Sequence, residues 1–373
     1  MDNNKIGFKV LNFDAIRDKP VFKAARNGDY IEYGSDNGYP QYLLDIFHNK
    51  SNKHKAIISK KVDMATGGGF LEAKSTELAK FLVNSYGKKD LGYVATRINY
   101  DFEIHNGFAM LVRWNNEGNK IAAIDWLPFH KCRLSIDEQN ILVSKDWLEP
   151  RKAINKPVTY PIFSPELAKD NPTQVFYYIE ESNGIDYYTL PYYSSTLSWI
   201  ELDYEIATFH LASVRNNFNA GFILNFATGV PTEEEMANAQ REMERKFTGT
   251  KNAGKFIITF SEGQDSKPEL IPLEMNSSDE RFILLHREML TEIFIGHSVT
   301  SPLLFGIRTE GQLGGRSELL EALAIFQSTY ISSKQTILEK AFNKLAVFAG
   351  VTEKMELKQY SIDFSAVESK VTV

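Results

Sequence analysis
Hydrophobic positions along the chain switch between two periods, and the switch points divide it into segments. After the turn signals Asn27-Gly28-Asp29 and Gly34 to Pro40, Tyr42, Leu43, Ile46 and Phe47 recur at helical spacing and predict a short helix. Ser51, a residue type that caps helices by accepting an orphan backbone N–H, opens a second one. Its apolar stripe is Ile57, Ile58, Val62 and Met64, and Gly67-Gly68-Gly69 stops it. A third helical pattern covers 76–105 with a break near Gly87, using Leu78, Phe81 and Leu82, then Val94, Ile98 and Phe102.

From Phe108 the period shortens. Phe108 to Trp114, the turn Asn115-Asn116-Glu117-Gly118 and Lys120 to Ile124 read as a β-hairpin. Further strands are predicted at 131–136, 141–145, 174–180 and 185–190. The stretch 148–172, with five scattered prolines, reads as an irregular surface loop. Helical spacing returns at Ser194 with Leu197, Ile200, Tyr204, Ala207, Leu211 and Val214, and predicts a helix over 194–217, roughly 35 Å long. Phe222 to Phe226 is a strand. Thr232 and Glu235 then form a capping box ahead of the stripe Met236, Ala239, Met243 and Phe247, which Gly249 ends. Lys255 to Phe260 is the next strand. Ser277 and Glu280 cap a helix over 278–296 that carries Phe282, Leu285, Met289 and Ile293 and stops before Pro302. Gly306 to Gly315 holds four glycines and no apolar period, so it is a loop. A long helix over 317–348, bent at Ser332-Ser333, and a strand at 361–364 follow. This mixture predicts an α+β fold.

Composition narrows the function classes. The 373 residues are 43% hydrophobic with 25 Phe and 17 Tyr, enough for folded cores. Cys132 is the one cysteine, so no disulfide forms within the chain, which suits a reducing cytosol; its default role is a small buried apolar residue. No apolar run approaches the ~18 residues of a membrane span, and the N-terminal residues lack a signal-peptide layout. We therefore expect a soluble chain, made in a cytoplasm and without a membrane partner. The net charge is −6, and no basic block exists. Proteins that grip DNA by its phosphates carry a basic excess, so tight DNA binding is disfavoured.

Enzyme signatures are absent from the sequence. Gly306 and Gly311 have P-loop spacing, but Gln312 and Leu313 stand where a lysine and a hydroxyl residue are needed. His48, His54, His105, His130, His210, His286 and His297 show no metal-site spacing. No nucleophile elbow occurs. Carboxylates at Asp279-Glu280 and Glu233-Glu234-Glu235 sit in first turns, where they complement the helix dipole. We expect no enzyme activity, no cofactor and no metal. Architecture is more informative. The helices 194–217 and 278–296 bracket about sixty residues, too little core to stand alone, so the apolar face of that element should be covered by neighbouring copies.

Several segments, in this order, resemble the portal (head–tail connector) proteins of tailed double-stranded DNA bacteriophages. They are Ile104 to Arg113, Leu127-Pro128 with Cys132 to Leu134, Asn216 to Leu224, Thr232 to Lys255 with Phe247-Thr248-Gly249, Ser277 to Phe294, and Val299 to Gly306. The likeness covers roughly 90–365 and is clearest over 193–348. It implies a mixed α/β wing (1–190 and 319–373), a two-helix stem (193–217 and 277–297), a small α/β clip (218–276), a tunnel-loop region (298–318) and a long C-terminal helix. The implied assembly is a ring, usually a homododecamer, at one capsid vertex of the virion, put together in the host cytoplasm. Its implied partners are non-specific double-stranded DNA in the channel, the terminase large subunit, a head–tail adaptor, and the major capsid or scaffold protein. The resemblance places Arg308, Thr309, Gln312, Leu313 and Arg316 on a DNA-contacting loop. It places Glu233, Glu234, Arg241, Arg245, Lys251 and Lys255 on a clip that docks the motor and then the adaptor. Ser301 departs from the family, standing where many members have proline. The chain also ends about nine residues after 361–364, where many portals continue into a helical crown, so the crown is expected to be absent or vestigial. A competing reading is another virion ring or scaffold protein without a DNA channel.

Overall fold
The computed structural model describes residues 20–25, 28–215, 222–226, 234, 238, 256–260, 269–272, 279–306 and 316–362. The chain divides into two compact units, one of Met1–Ser198 with Ile293–Val373 and one of the inserted Trp199–Glu292.

In the first unit, β1 (Lys23–Ala24) pairs antiparallel with β2 (Ile31–Glu32). Helix α1 (Tyr39–Asp45) runs on through a π-helical turn, Ile46–Lys50. Helix α2 (Asn52–Thr66) starts as expected: the Ser51 hydroxyl accepts the His54 N–H at 3.2 Å. It ends at Gly67, whose φ of +56° is left-handed, and the Gly67 N–H closes the last turn on Asp63 O. A Cβ at Gly67 would lie 1.6 Å from the Lys358 carbonyl oxygen. Gly67→Ala is therefore expected to cost about 2–3 kcal/mol, read as a lower urea midpoint at unchanged slope.

The break near Gly87 is a built turn between α3 (Thr76–Val83) and α4 (Leu91–His105). Ser75 and Asp90 cap the two helices by accepting the Leu78 and Tyr93 N–H groups. The Asn84 amide donates to Lys89 O at 2.6 Å and Ile124 O at 2.7 Å, which fixes the turn on the sheet. Six strands follow: β3 (Gly107–Trp114), β4 (Ile121–Leu127), β5 (Cys132–Leu134), β6 (Asn140–Val143), β7 (Val158–Pro161) and β8 (Thr173–Ile179). They form two antiparallel sheets ordered β4-β3-β8 and β5-β6-β7. The expected hairpin is present, with β3 as the central strand.

Two expectations are corrected here. Residues 158–161, read as loop, pair with β6, whose edge leaves room for a proline-bearing strand. Residues 185–190, read as a strand, join no sheet. Tyr187 has φ +67°, and the segment is held by side chains instead: Tyr188 Oη donates to Ile31 O at 2.5 Å and accepts the Leu134 N–H at 3.0 Å.

The second unit holds most of α5 (Leu197–Arg215), which continues a 3₁₀ turn at Ser194–Thr196. Strand β9 (Phe222–Phe226) pairs in parallel with β10 (Phe256–Phe260) and antiparallel with β11 (Glu269–Pro272), a strand the pattern did not show. A parallel pair needs a crossover connection. Glu234 and Asn238 are helical, in line with the helix expected there. Thr232, Glu235 and Ser277 of the two capping boxes lie outside the described residues. Helix α6 (Asp279–Gly296) returns the chain to the first unit.

There, α7 (Arg316–Phe326) and α8 (Ser332–Phe348) flank a π-helical segment, Gln327–Ile331. The irregularity expected at Ser332-Ser333 sits just before it. Ser328 and Thr329 hydroxyls donate to Ile325 O, and Ser332 Oγ donates to Gln327 O, competing with the helical ladder. The strand expected at 361–364 is corrected as well: Ser361 and Ile362 have no strand pairing, and 363–364 lie outside the described residues. Pairing occurs earlier, where Leu357 bridges Phe70. Phe102, Phe108, Ile124, Leu338, Phe342 and Leu345 form the centre of the main core and are fully buried.

Candidate functional site
Most residues that the resemblance singles out, Arg308, Thr309, Gln312, Leu313, Glu233, Arg241, Arg245, Lys251 and Lys255, lie outside the described residues. Glu234 is helical and exposed. Arg316 is exposed and opens α7, with Glu318 in the same turn, where a carboxylate suits the dipole. The candidate site is therefore the framework that holds both ends of 307–315.

Upstream, Ser301 caps a 3₁₀ turn, Pro302–Phe305, by accepting the Leu303 N–H, and Gly306 closes it at φ +78°. The turn is thus well formed with serine in place of the family's first proline. Leu304 from this turn packs with Ala322, Leu323 and Phe326 of α7 on Met64 and Ala65 of α2. Both ends of 307–315 rest on one apolar cluster.

Beside that cluster lies a buried polar one, which comes from six places in the first unit. Glu103 of α4 accepts hydrogen bonds at Oε2 from the hydroxyls of Tyr192 (2.9 Å) and Tyr330 (2.7 Å). Lys61 of α2 donates to Tyr192 Oη at 3.0 Å and to His297 O at 2.5 Å, and stands 3.9 Å over the Tyr330 ring. His297 follows α6 directly. Its Nδ1 is 3.2 Å from Tyr192 Oη, and its Nε2 is 2.9 Å from Nδ1 of His54. Since Tyr192 gives its proton to Glu103, it accepts from His297 Nδ1–H, and His297 Nε2 accepts from His54 Nδ1–H. The hydrogen bonds then run in one direction from His54 to Glu103. Lys334 of α8 lies 3.6 Å over the Phe102 ring. Burial lowers Lys61 to about 7, against the pull of Glu103, and lowers Lys334 as well. Burial holds His54 at about 3 and His297 well below the usual imidazole range, with Lys61 adding to both.

A second buried group surrounds β5. Arg133 is fully buried and donates to Asn37 Oδ1, Asn37 O, His130 O, Cys132 O and Gln41 Oε1. Asp101 accepts from Trp126 Nε1 and the Phe129 N–H, and burial raises it to about 7. Cys132 is buried as expected, its thiol pushed up by burial.

Sequence reasoning named the histidines but missed both groups, because their members lie far apart in the chain. The available signal was ionisable residues on apolar stripes, such as Lys61 three residues after Ile58 and Glu103 next to Phe102. Among the described residues no cluster of three metal-ligating side chains occurs, and no helix is long and apolar enough to cross a membrane.

The fold has solved counterparts. It is similar to a chain in the neck of a native gene transfer agent (GTA) particle computed with C12 symmetry, with TM-score 0.56 and 12% identity, covering 89% of this chain and 87% of that one. A chain in the virion of a native GTA particle matches with TM-score 0.54 over the same shares at 12% identity. The crystal structure of an HK97 family phage portal protein from Corynebacterium diphtheriae gives TM-score 0.49 and 10% identity, over 85% of this chain and 96% of that one. No family model and no curated protein matches the sequence. At these identities the likeness is one of fold, and the α+β class expected from the sequence is the class observed.

Proposed function
We propose that the chain is a portal subunit, which forms a ring at one vertex of a virion and lets double-stranded DNA pass through its centre. The observation that carries this reading is the fold shared with a neck chain over 89% of the sequence, in a particle of C12 symmetry. The resemblance read from 90–365 is independent support, since it rests on local residues and their order. Helices α5 and α6 also expose Phe209, Leu211, Ile283 and Leu284, apolar surface that a ring of copies would cover.

In this reading a portal must not trap the polyanion it passes. Each tight phosphate contact adds salt-dependent affinity and slows sliding. The acidic chain, with Arg308, Glu310, Arg316 and Glu318 of mixed sign around 307–315, meets that need. Arg308 and Arg316 make transient phosphate contacts, with Thr309, Gln312 and Leu313 between them. The clip over 218–276 docks the terminase motor and later the adaptor, and the energy for packaging comes from the motor.

Electron microscopy of the purified chain is expected to show rings with a central hole. Deleting 309–314 is expected to leave those rings intact and to reduce packaged or retained DNA in particles. Intact rings with undiminished packaging would remove the DNA-contact assignment. A chain that stays monomeric across salt conditions, and is absent from the neck, would remove the portal reading.

A further inference from the structure
One carboxylate oxygen in the buried cluster is shared by two hydroxyls from distant parts of the chain. Tyr192 lies in the segment that leads into the inserted unit, and Tyr330 lies in the π-helical segment between α7 and α8. Both donate to Glu103 Oε2, at 2.9 and 2.7 Å. We propose that Glu103 couples these two segments, so that a displacement of the helix downstream of 307–315 is felt where the chain enters and leaves the inserted unit.

Three features of the geometry support the coupling. First, the Tyr192 hydroxyl is saturated: it donates to Glu103 and accepts from Lys61 and His297. It cannot change partners without disturbing the residue that ends the exit from the inserted unit. Second, Lys61 spans both sides. It bonds His297 O while standing over the rings of Tyr330 and Tyr192, at 3.9 and 4.5 Å. Removing the Tyr192 hydroxyl takes a hydrogen bond from a buried cation that also stands over the Tyr330 ring. Third, a π-helical segment differs from an α-helix by one residue of register, so Gln327–Ile331 has a discrete alternative arrangement rather than a continuum. A load on α7 can be taken up by that change of register, which would carry Tyr330 away from Glu103. The apolar cluster that fixes Leu304 and α7 on α2 joins α7 to the helix that carries Lys61.

This inference concerns the first unit alone and holds or fails independently of the portal reading. Its test is hydrogen exchange of the full chain, comparing Tyr192→Phe, Tyr330→Phe and the double variant. Each substitution removes a single hydroxyl and keeps the ring. Tyr330→Phe is expected to speed exchange at least about fivefold at 192–196 and at 297–298, as well as at 327–331. Tyr192→Phe is expected to do the same at 327–331. The double variant should exchange little faster than either single one, because each has already broken the shared link. Glu103→Gln should speed both segments together. Acceleration confined to the substituted segment, or single effects that multiply in the double variant, would overturn the coupling. If Glu103→Gln does not fold, the two phenylalanine variants still decide.

Discussion

Arg133→Met is expected to lower stability by about 4 kcal/mol, seen as a loss of roughly 10 °C in Tm. The guanidinium is wholly buried, and no carboxylate among the described residues pairs with it. Its charge is held by neutral oxygens: Asn37 Oδ1 at 2.5 Å, Asn37 O and Cys132 O at 2.7 Å, His130 O at 3.0 Å and Gln41 Oε1 at 3.3 Å. Methionine fills much of the volume but donates nothing. Several carbonyls would then stay buried without a donor, each costing about 1–3 kcal/mol before relaxation. Asn37 is the most sensitive of them. It holds a left-handed φ of +57°, and its side chain also accepts the Tyr33 N–H, so it fixes the entry to α1. The guanidinium also stacks 5.0 Å from the Trp147 ring. Arg133→Lys should recover only part of the loss, because an ammonium cannot reach this fan of acceptors from one plane. A midpoint in urea within 0.5 kcal/mol of the parent for Arg133→Met, on the order of a surface substitution, would show that the acceptors find water instead.

Arg133 also shows where reading the sequence stops. It sits in a short apolar run between Cys132 and Leu134, and the run was rightly expected to be a strand. Nothing local says that the arginine points inward, because three of its five acceptors, on Asn37 and Gln41, lie more than ninety residues earlier. The elements that were legible are those whose signals are local. The cap at Ser51, the stop at Gly67 and the turn between α3 and α4 all act within a few residues. Strands β7 and β11 were missed because a strand is decided by its partner, and neither is an apolar run with strand period. The segment 185–190 failed in the opposite sense. Its aromatic residues suit a strand, but Tyr188 is spent on hydrogen bonds to Ile31 and Leu134.

The candidate site divides in the same way. The stretch expected to be a loop from its four glycines lies, over 307–315, outside the described residues, and the turn before it is held by the Ser301 cap. The buried link between Tyr192, Glu103 and Tyr330 was not legible, since its members are separated by more than eighty residues. Its ionisable side chains look like solvated positions until the fold closes over them.

Those buried groups make the chain sensitive to acid, and stability is expected to fall by roughly 4 kcal/mol per pH unit below about pH 6. His54, His105 and His297 are fully buried, His130 is partly buried, and burial is the main cause that lowers each of them; His54 stands at about 3 and His130 at about 4. In the unfolded chain they take up protons near the usual 6.5. Stability from these groups is therefore complete above that value and is lost as the pH falls toward the folded values. Asp101 acts in the other direction. Its folded pKa of about 7 lies above the unfolded value, so between about pH 4 and 7 the native state holds the extra proton and gains from acid. One such group offsets one of the four histidines, which leaves a net uptake of about three protons on unfolding. Lys61, at about 7, shifts stability only on the alkaline side, where it rises with pH until the unfolded lysine also loses its proton. Against a typical total of about 5–15 kcal/mol, the acid slope should unfold the chain within a few pH units of neutrality. Urea midpoints between pH 7 and 4.5 measure it directly. His105→Phe separates this account from general acid repulsion. Both His105 ring nitrogens lack a hydrogen-bond partner among the described residues, and the ring stacks 5.5 Å from Phe129. Phenylalanine should keep the stack, cost little at pH 7 and flatten the slope by about one proton. An unchanged slope in that variant would mean that His105 is protonated in the folded chain, and that burial does not set its charge.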